Sequence, residues 1–194
     1  MDLSPITLEG QFVKLVPLTL EHRDALVNAA SDGKLWELWF TSVPNEERVD
    51  DYLNMAFEQQ SVGRAIPFAV IDKHTDEVIG STRFCNIDSK NRRLEIGYTW
   101  YAKRFQRTGV NTDCKKLLLS YAFETLNVIA VEFRTHWHNQ ASRNAIARLG
   151  AKQDGVLRNH QIMADGCVRD TVVFSIIDGE WPMVKRSLEF KLAC

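Results

Sequence analysis

The chain has 194 residues, a formal net charge of −1, and 45% hydrophobic and 25% charged residues. This length can bury a sizeable core, the composition is that of an ordinary globular protein, and a charge so near zero sets up no field to draw the chain to nucleic acid or a membrane surface. No apolar run reaches the ~20 residues of a membrane span, and Cys85, Cys114, Cys167 and Cys194 show no Cys-x-x-Cys spacing, which argues against a zinc site or a disulfide framework and for a reducing, cytoplasmic setting with no metal.

The opening residues, Met1 to Pro5, lack the basic and apolar parts of a signal peptide. A strand is expected at Phe12 to Leu18, where polarity alternates up to Pro17. Helical character follows from Leu20 to about Gln60, with breaks near Gly33 and Pro44. Thr19 stands where the N-cap of its first segment, Arg23 to Ala30, belongs. Its middle is unusually aromatic, with Trp36, Trp39 and Phe40 at helical spacing. Three strands then read as an antiparallel set: Pro67 to Asp72, Val78 to Asp88 and Arg93 to Tyr101, joined by short loops that make sequential strands neighbours. An amphipathic helix, Thr112 to Thr125, carries Cys114, Leu117, Leu118, Tyr121 and Ala122 on one face. A strand from Val128 to His138 and a helix opened by Asn139 come next. Two long strands, Gln153 to Met163 and Cys167 to Asp178, flank the turn Ala164-Asp165-Gly166. A last helix, Gly179 to Leu192, has Pro182 in its first turn, where proline is tolerated. The order of elements predicts a mixed α/β sheet with helices on both faces. There is no internal repeat, low-complexity segment or linker, so one domain over residues 1–194 is expected.

The segment Gln106-Arg107-Thr108-Gly109-Val110-Asn111-Thr112 lies between a strand and a helix. The first N–H groups of a helix have no internal partner, and the helix dipole adds partial positive charge there, so such a junction suits a pyrophosphate. The dinucleotide fingerprint would need three glycines and the P-loop a Gly-Lys-Ser/Thr ending; both are absent. About thirty residues further on, after another strand, comes Asn139-Gln140-Ala141-Ser142, continuing to Leu149-Gly150-Ala151. Asn139 is a good N-cap and Gly150 a good residue to end the helix.

Gln-x-x-Gly-x-Asn followed at this distance by Asn-x-x-Ser…Leu-Gly-Ala resembles the two acyl-CoA motifs of the GNAT N-acetyltransferase superfamily, and the likeness extends over nearly the whole chain. It is nearest the RimJ/RimL-like branch of ribosomal-protein and N-terminal acetyltransferases, which opens with a strand such as Gln11 to Leu18 and then a helix. The resemblance implies a mostly antiparallel sheet of about seven strands whose middle strands splay to admit acetyl-CoA, with an acceptor amine approaching from the other side. It implies that Gln106, Thr108, Gly109, Val110, Asn111 and Thr112 hold the pyrophosphate with Arg104 and Arg107 beside it. Tyr98, Thr99 and Trp100 would run along the pantetheine, Asn139 would bond its arm, and Arg143 and Arg148 would reach the nucleotide end.

For catalysis the attacking amine must be neutral, the oxyanion needs fixed N–H donors, and the thiolate can be protonated on leaving. Glu95 is the first candidate base, with His136 and His138 as alternatives. The N–H of Tyr98 or Thr99 is the expected oxyanion donor, where Gly97 suits a bulge or a close approach. Many members place a Tyr acid seven residues after the motif Asn; here that residue is Ile146, and Ser142 takes the corresponding role in the Rim-type branch. Asn111 also departs from the usual Gly or Ala. Trp36, Trp39 and Phe40 would line an acceptor groove or belong to the core. The acceptor stays open between a peptide or protein N-terminus and a small amine, and the apolar Trp181 to Leu192 segment offers a surface for a homodimer. Two rival readings are a CoA-binding sensor or scaffold without turnover and a generic nucleotide-binding α/β protein.

Overall fold

A computed structural model describes residues 1–163 and 165–193. The described residues form an eight-stranded sheet in the order β1-β2-β3-β4-β5-β6-β8-β7. The strands are β1 (Leu8–Glu9), β2 (Val13–Pro17), β3 (Ile66–Asp72), β4 (Val78–Asp88), β5 (Arg93–Tyr101), β6 (Ala130–His136), β7 (Lys152–Ile162) and β8 (Val168–Ile177). All neighbours are antiparallel except β5 and β6. The helices are α1 (Arg23–Ser31), α2 (Val49–Ser61), α3 (Val110–Ser120), α4 (Gln140–Leu149) and α5 (Trp181–Ala193).

Two apolar clusters sandwich the sheet. One joins Phe68, Phe84, Leu94 and Ile96 to α3, α4 and α5 through Leu118, Ile146 and Leu188. The other joins Ala69, Trp100 and Ala102 to α1 and α2 through Leu26, Tyr52 and Leu53. This is the expected mixed sheet with helices on both faces, with one strand more than the expected seven. The addition is β1, whose two residues pair with Lys14 and Leu15 and are too few to show a period.

The early helical region differs from its expected course. Gly33 and Lys34 take left-handed backbone (φ 89° and 45°), which ends α1, and only a single turn, Leu35–Glu37, follows. Trp39 and Phe40 therefore lie in a turn and not on a helix. Helix α3 begins at Val110, two residues earlier than its periodicity suggested, and widens into a π turn at Tyr121–Thr125. Its Asp113 carboxylate accepts from the backbone N–H groups of Phe12 and Val13 at 2.6 and 3.1 Å, tying the helix to β2. Asp165 and Gly166 form a turn between β7 and β8, while Ala164 of the expected turn lies outside the described residues.

Two irregularities in β5 set the site. Its parallel pairing with β6 covers only Arg93, Leu94 and Glu95, opposite Ala130, Val131 and Glu132, and the two strands then part. In its pairing with β4, Ser81 faces Trp100 and Arg83 faces Gly97, so Thr82 alone stands against Tyr98 and Thr99. That extra residue is a β-bulge, with Tyr98 at φ 51°.

Candidate active site

The fork between β5 and β6 has two sides. On one side lies the turn into α3. The left-handed residue of this turn is Arg107 (φ 62°), whereas Gly109 is an ordinary right-handed residue that serves space: a Cβ there would come within 2.7 Å of the Phe12 ring. Most side chains of the loop are engaged within the protein. Gln106 Nε2 donates to the Tyr101 carbonyl at 3.0 Å, Thr108 Oγ1 donates to the Phe105 carbonyl at 2.7 Å, and Tyr101 Oη donates to Asn111 Oδ1 at 3.2 Å. Thr112 is buried and its hydroxyl accepts from Arg148 Nη1 at 3.0 Å; Val110 is buried too. Arg104 pairs with Asp32 and Glu77 at 3.3 and 2.6 Å. Arg107 is exposed and has no ion pair or hydrogen bond among the described residues. The Val110 N–H donates to Thr108 Oγ1 at 3.3 Å, so the loop offers an anion its remaining helix-end amides and one free guanidinium, which fits a diphosphate.

Helix α4 opens the other wall. Asn139 Oδ1 accepts from the Ser142 N–H at 3.0 Å, as an N-cap should, and Gly150 closes the helix at φ 106°. The Ser142 hydroxyl is half-buried, with no partner among the described residues. Arg143 stacks on the Trp137 ring at 4.4 Å and donates to the Trp137 carbonyl at 3.2 Å, which turns it toward β6.

At the fork itself stands Glu95. Its Oε2 accepts from Asn86 Nδ2 at 2.7 Å and faces Arg134 Nε at 3.5 Å. Burial pushes its carboxyl above the usual range, although Asn86 and Arg134 pull the other way. Gly97 is a close approach: a Cβ there would come within 3.0 Å of both Cys85 Sγ and Glu95 Oε1. A cavity of about 200 Å³ opens beside this carboxylate, lined by Asn86, Asp88, Arg93, Glu132 and Arg134. Among the described residues, no group of three His, Cys, Asp or Glu side chains is placed to hold a metal ion.

His136 lies on the same fork. It is buried, its Nδ1 accepts from the His138 N–H at 3.0 Å, and burial holds its pKa below the usual histidine value. The Trp39 ring, 57% exposed, meets His136 edge-on at 5.0 Å and His138 at 5.8 Å, with Phe40 6.5 Å from His136. These aromatics cross from the turn after α1 to cover β6. Trp100 is instead core: its Nε1 donates to Tyr52 Oη at 3.3 Å, so its part in any pantetheine contact falls to its backbone.

Three residues of this region have no local signal in the sequence. Lys115 of α3 is buried between helix and sheet, donates to Thr99 Oγ1 at 2.5 Å and Thr82 Oγ1 at 3.4 Å, and burial lowers its pKa to about 8. Arg83 of β4 is 0% exposed, with its guanidinium 4.0 Å from the Tyr98 ring centroid and 4.9 Å from that of Tyr52. Arg169 of β8 is half-buried and bonds Thr171 Oγ1 at 3.2 Å.

Comparison with known proteins agrees with this geometry. The model of the acetyltransferase (GNAT) domain matches residues 13–152. The chain belongs to the GNAT family and is an acyl-CoA-dependent N-acetyltransferase. It is 29% identical over 176 residues to an uncharacterized N-acetyltransferase, p20, of Bacillus licheniformis, covering 90% of this chain and 98% of that one. It is 25% identical over 130 residues to the ribosomal protein uS5-alanine N-acetyltransferase of Escherichia coli, covering 66% of each. A GCN5-related N-acetyltransferase from Brucella melitensis superimposes with a TM-score of 0.88 at 30% identity, covering 97% of this chain and 86% of that one.

Proposed function

We propose that the protein moves an acetyl group from acetyl-CoA to a primary amine, a protein N-terminus or a small amine, by direct transfer in a ternary complex. The observation that carries this reading is the coincidence, within β5, of the fork, the bulge and a buried carboxylate. Acetyl-CoA would supply the activated thioester, with CoA as the leaving group; the remaining roles belong to the chain. The α3 amides and Arg107 take the diphosphate, and the cap at Asn139 presents α4 along the arm. The bulge turns the Tyr98 or Thr99 N–H out of the ladder to donate to the oxyanion. Glu95 takes the proton of the incoming amine, and its raised pKa brings it nearer the working pH, where a base is most effective. The free hydroxyl of Ser142 donates to the departing sulfur. The relative that acetylates alanine of uS5 favours a protein amine as acceptor, and a cytoplasmic setting accords with that substrate. Among the described residues, no helix is long and apolar enough to cross a membrane.

The test is calorimetric titration with acetyl-CoA, with ATP and NAD as controls, followed by thiol release over an amine panel. Micromolar binding of acetyl-CoA alone, with turnover on an amine, is expected. A folded protein that binds none of it would sink the reading.

A further inference from the structure

The acceptor side of the fork carries more positive charge than its own carboxylates neutralise. Glu95 and Glu132 are already shared by Arg93 and Arg134: Arg134 reaches Glu132 at 3.0 Å and Glu95 at 3.5 Å, and Arg93 forms a close pair with Glu132. Asp170 is taken by Arg158 at 2.5 Å and by the Asn159 N–H at 2.8 Å. Two guanidinium groups are left over. No carboxylate of the described residues lies within 4.0 Å of Arg83 or Arg169. Arg83 is the sharper anomaly, because Nε, Nη1 and Nη2 are all buried with no hydrogen-bond partner.

A buried charge of this kind is costly to hold unless something pairs with it, and unsatisfied buried groups in a native fold call for an explanation. The two tyrosine rings around Arg83 return only part of that cost through cation–π attraction. Tyr98 is itself half-buried at the bulge, and the guanidinium lies 4.0 Å from the ring of this residue at the fork. Arg169 lies on β8, beyond β6, two residues from Thr171, which pairs with His136, and its charge is felt by Glu95, Tyr98 and His136. Its single side-chain bond, to Thr171, leaves the other donors of its fork free.

We infer that the acceptor amine belongs to a molecule that also carries an oxyanion, a carboxylate or a phosphate, which Arg169 grips while Arg83 beneath supplies uncompensated positive potential. The inference rests on the acetyl-transfer reading of the fork and names the class of acceptor it takes. A planar guanidinium fork matches both oxyanions bidentately, and such charge-assisted bonds are roughly twice as strong as neutral ones. The ammonium end of such a molecule would be left to Glu95, the carboxylate at the fork.

The experiment titrates the CoA-bound protein with amine pairs that differ in the oxyanion: tyramine and tyrosine, putrescine and ornithine, ethanolamine and phosphoethanolamine. In at least one pair the anionic member should bind about tenfold more tightly, and Arg169→Gln should bring the two members within about twofold. The pair that shows the preference identifies carboxylate or phosphate. Arg83→Met should reduce the same preference; where that variant does not fold, Arg169→Gln decides alone. Equal or tighter binding of every neutral member, binding of none, or a preference that survives Arg169→Gln overturns the inference. Thiol release from acetyl-CoA is read separately with the same pairs. A preference in binding without thiol release keeps the anion grip and sinks acetyl transfer. Thiol release from neutral members alone keeps transfer and sinks the grip.

Discussion

The two sides of the β5–β6 fork are built on opposite plans. On the side of the α3 turn nearly every side chain is already spoken for: Gln106, Thr108, Asn111, Thr112 and Arg104 all bond within the protein. What is left unengaged there is main chain and the Arg107 guanidinium. Across the fork, a carboxylate with a raised pKa, two arginines without carboxylate partners and an aromatic turn meet in one place. In the proposed reaction, a cosubstrate common to every turnover would be met mainly by backbone amides, which substitution barely alters, and the acceptor by side chains, each of which can be replaced alone.

If that division is right, damage should be severe and specific on the acceptor side and mild on the other. The largest effect is expected at Glu95. Removing a general base costs about 10² to 10⁴ in rate, so Glu95→Gln should lower kcat/KM by that order while the Kd for acetyl-CoA, read by calorimetry, stays put. The wild-type pH–rate profile should fall on its acid side with a midpoint above the ordinary glutamate value, because burial favours the protonated form, and the variant should lack that limb. An unchanged profile would move the base elsewhere, with His136 the next candidate.

Next in size is a stability effect beneath the bulge. Holding Lys115 near 8 instead of its ordinary 10.5 corresponds to about 3 kcal/mol at roughly 1.4 kcal/mol per pH unit. The folded chain binds fewer protons than the unfolded one between those values, so stability should rise with pH across that window, and the full penalty is present at pH 7. Lys115→Met should therefore stabilise the fold at neutral pH by up to about 3 kcal/mol and flatten its denaturant midpoints between pH 8 and 10.5. A variant less stable at pH 7 would mean that the bonds to Thr99 and Thr82 outweigh the burial of charge.

Smaller effects belong to the cosubstrate side. Arg107→Ala should weaken acetyl-CoA by about tenfold, the loss of one charge-assisted contact. Ser142→Ala should slow turnover by only about threefold, since a thiolate leaves readily unaided, and a rate equal to wild type would remove the serine from the mechanism. A loss at Arg107 as severe as that at Glu95 would erase the contrast between the two sides.

The same contrast explains how much could be read without a structure. The α3 turn and the α4 caps are local chemistry, so Gln106 to Thr112, Asn139 and Gly150 stand out from spacing and residue type. The bulge was foreshadowed by Gly97, although its left-handed residue is Tyr98. The helical spacing of Trp39 and Phe40 misleads because two left-handed residues, Gly33 and Lys34, end the helix before them. Arg83, Lys115 and Arg169 carry no local signature at all. The meaning of Arg83 and Lys115 comes from what surrounds them: Arg83 meets Tyr52 of α2 and Tyr98 of β5, and Lys115 meets Thr99 of β5.

The extra residue at Tyr98 has an effect that reaches along the whole strand. Before it, even-numbered Leu94 and Ile96 face α3; after it, odd-numbered Thr99 and Tyr101 do, while Trp100 and Ala102 turn to α2. One strand thus reads in two reading frames, joined at a single residue. Tolerance to substitution along β5 should alternate with period two and slip by one step at Tyr98, and deleting that residue would merge the two frames into a single alternation in which Trp100 and Tyr101 keep their faces.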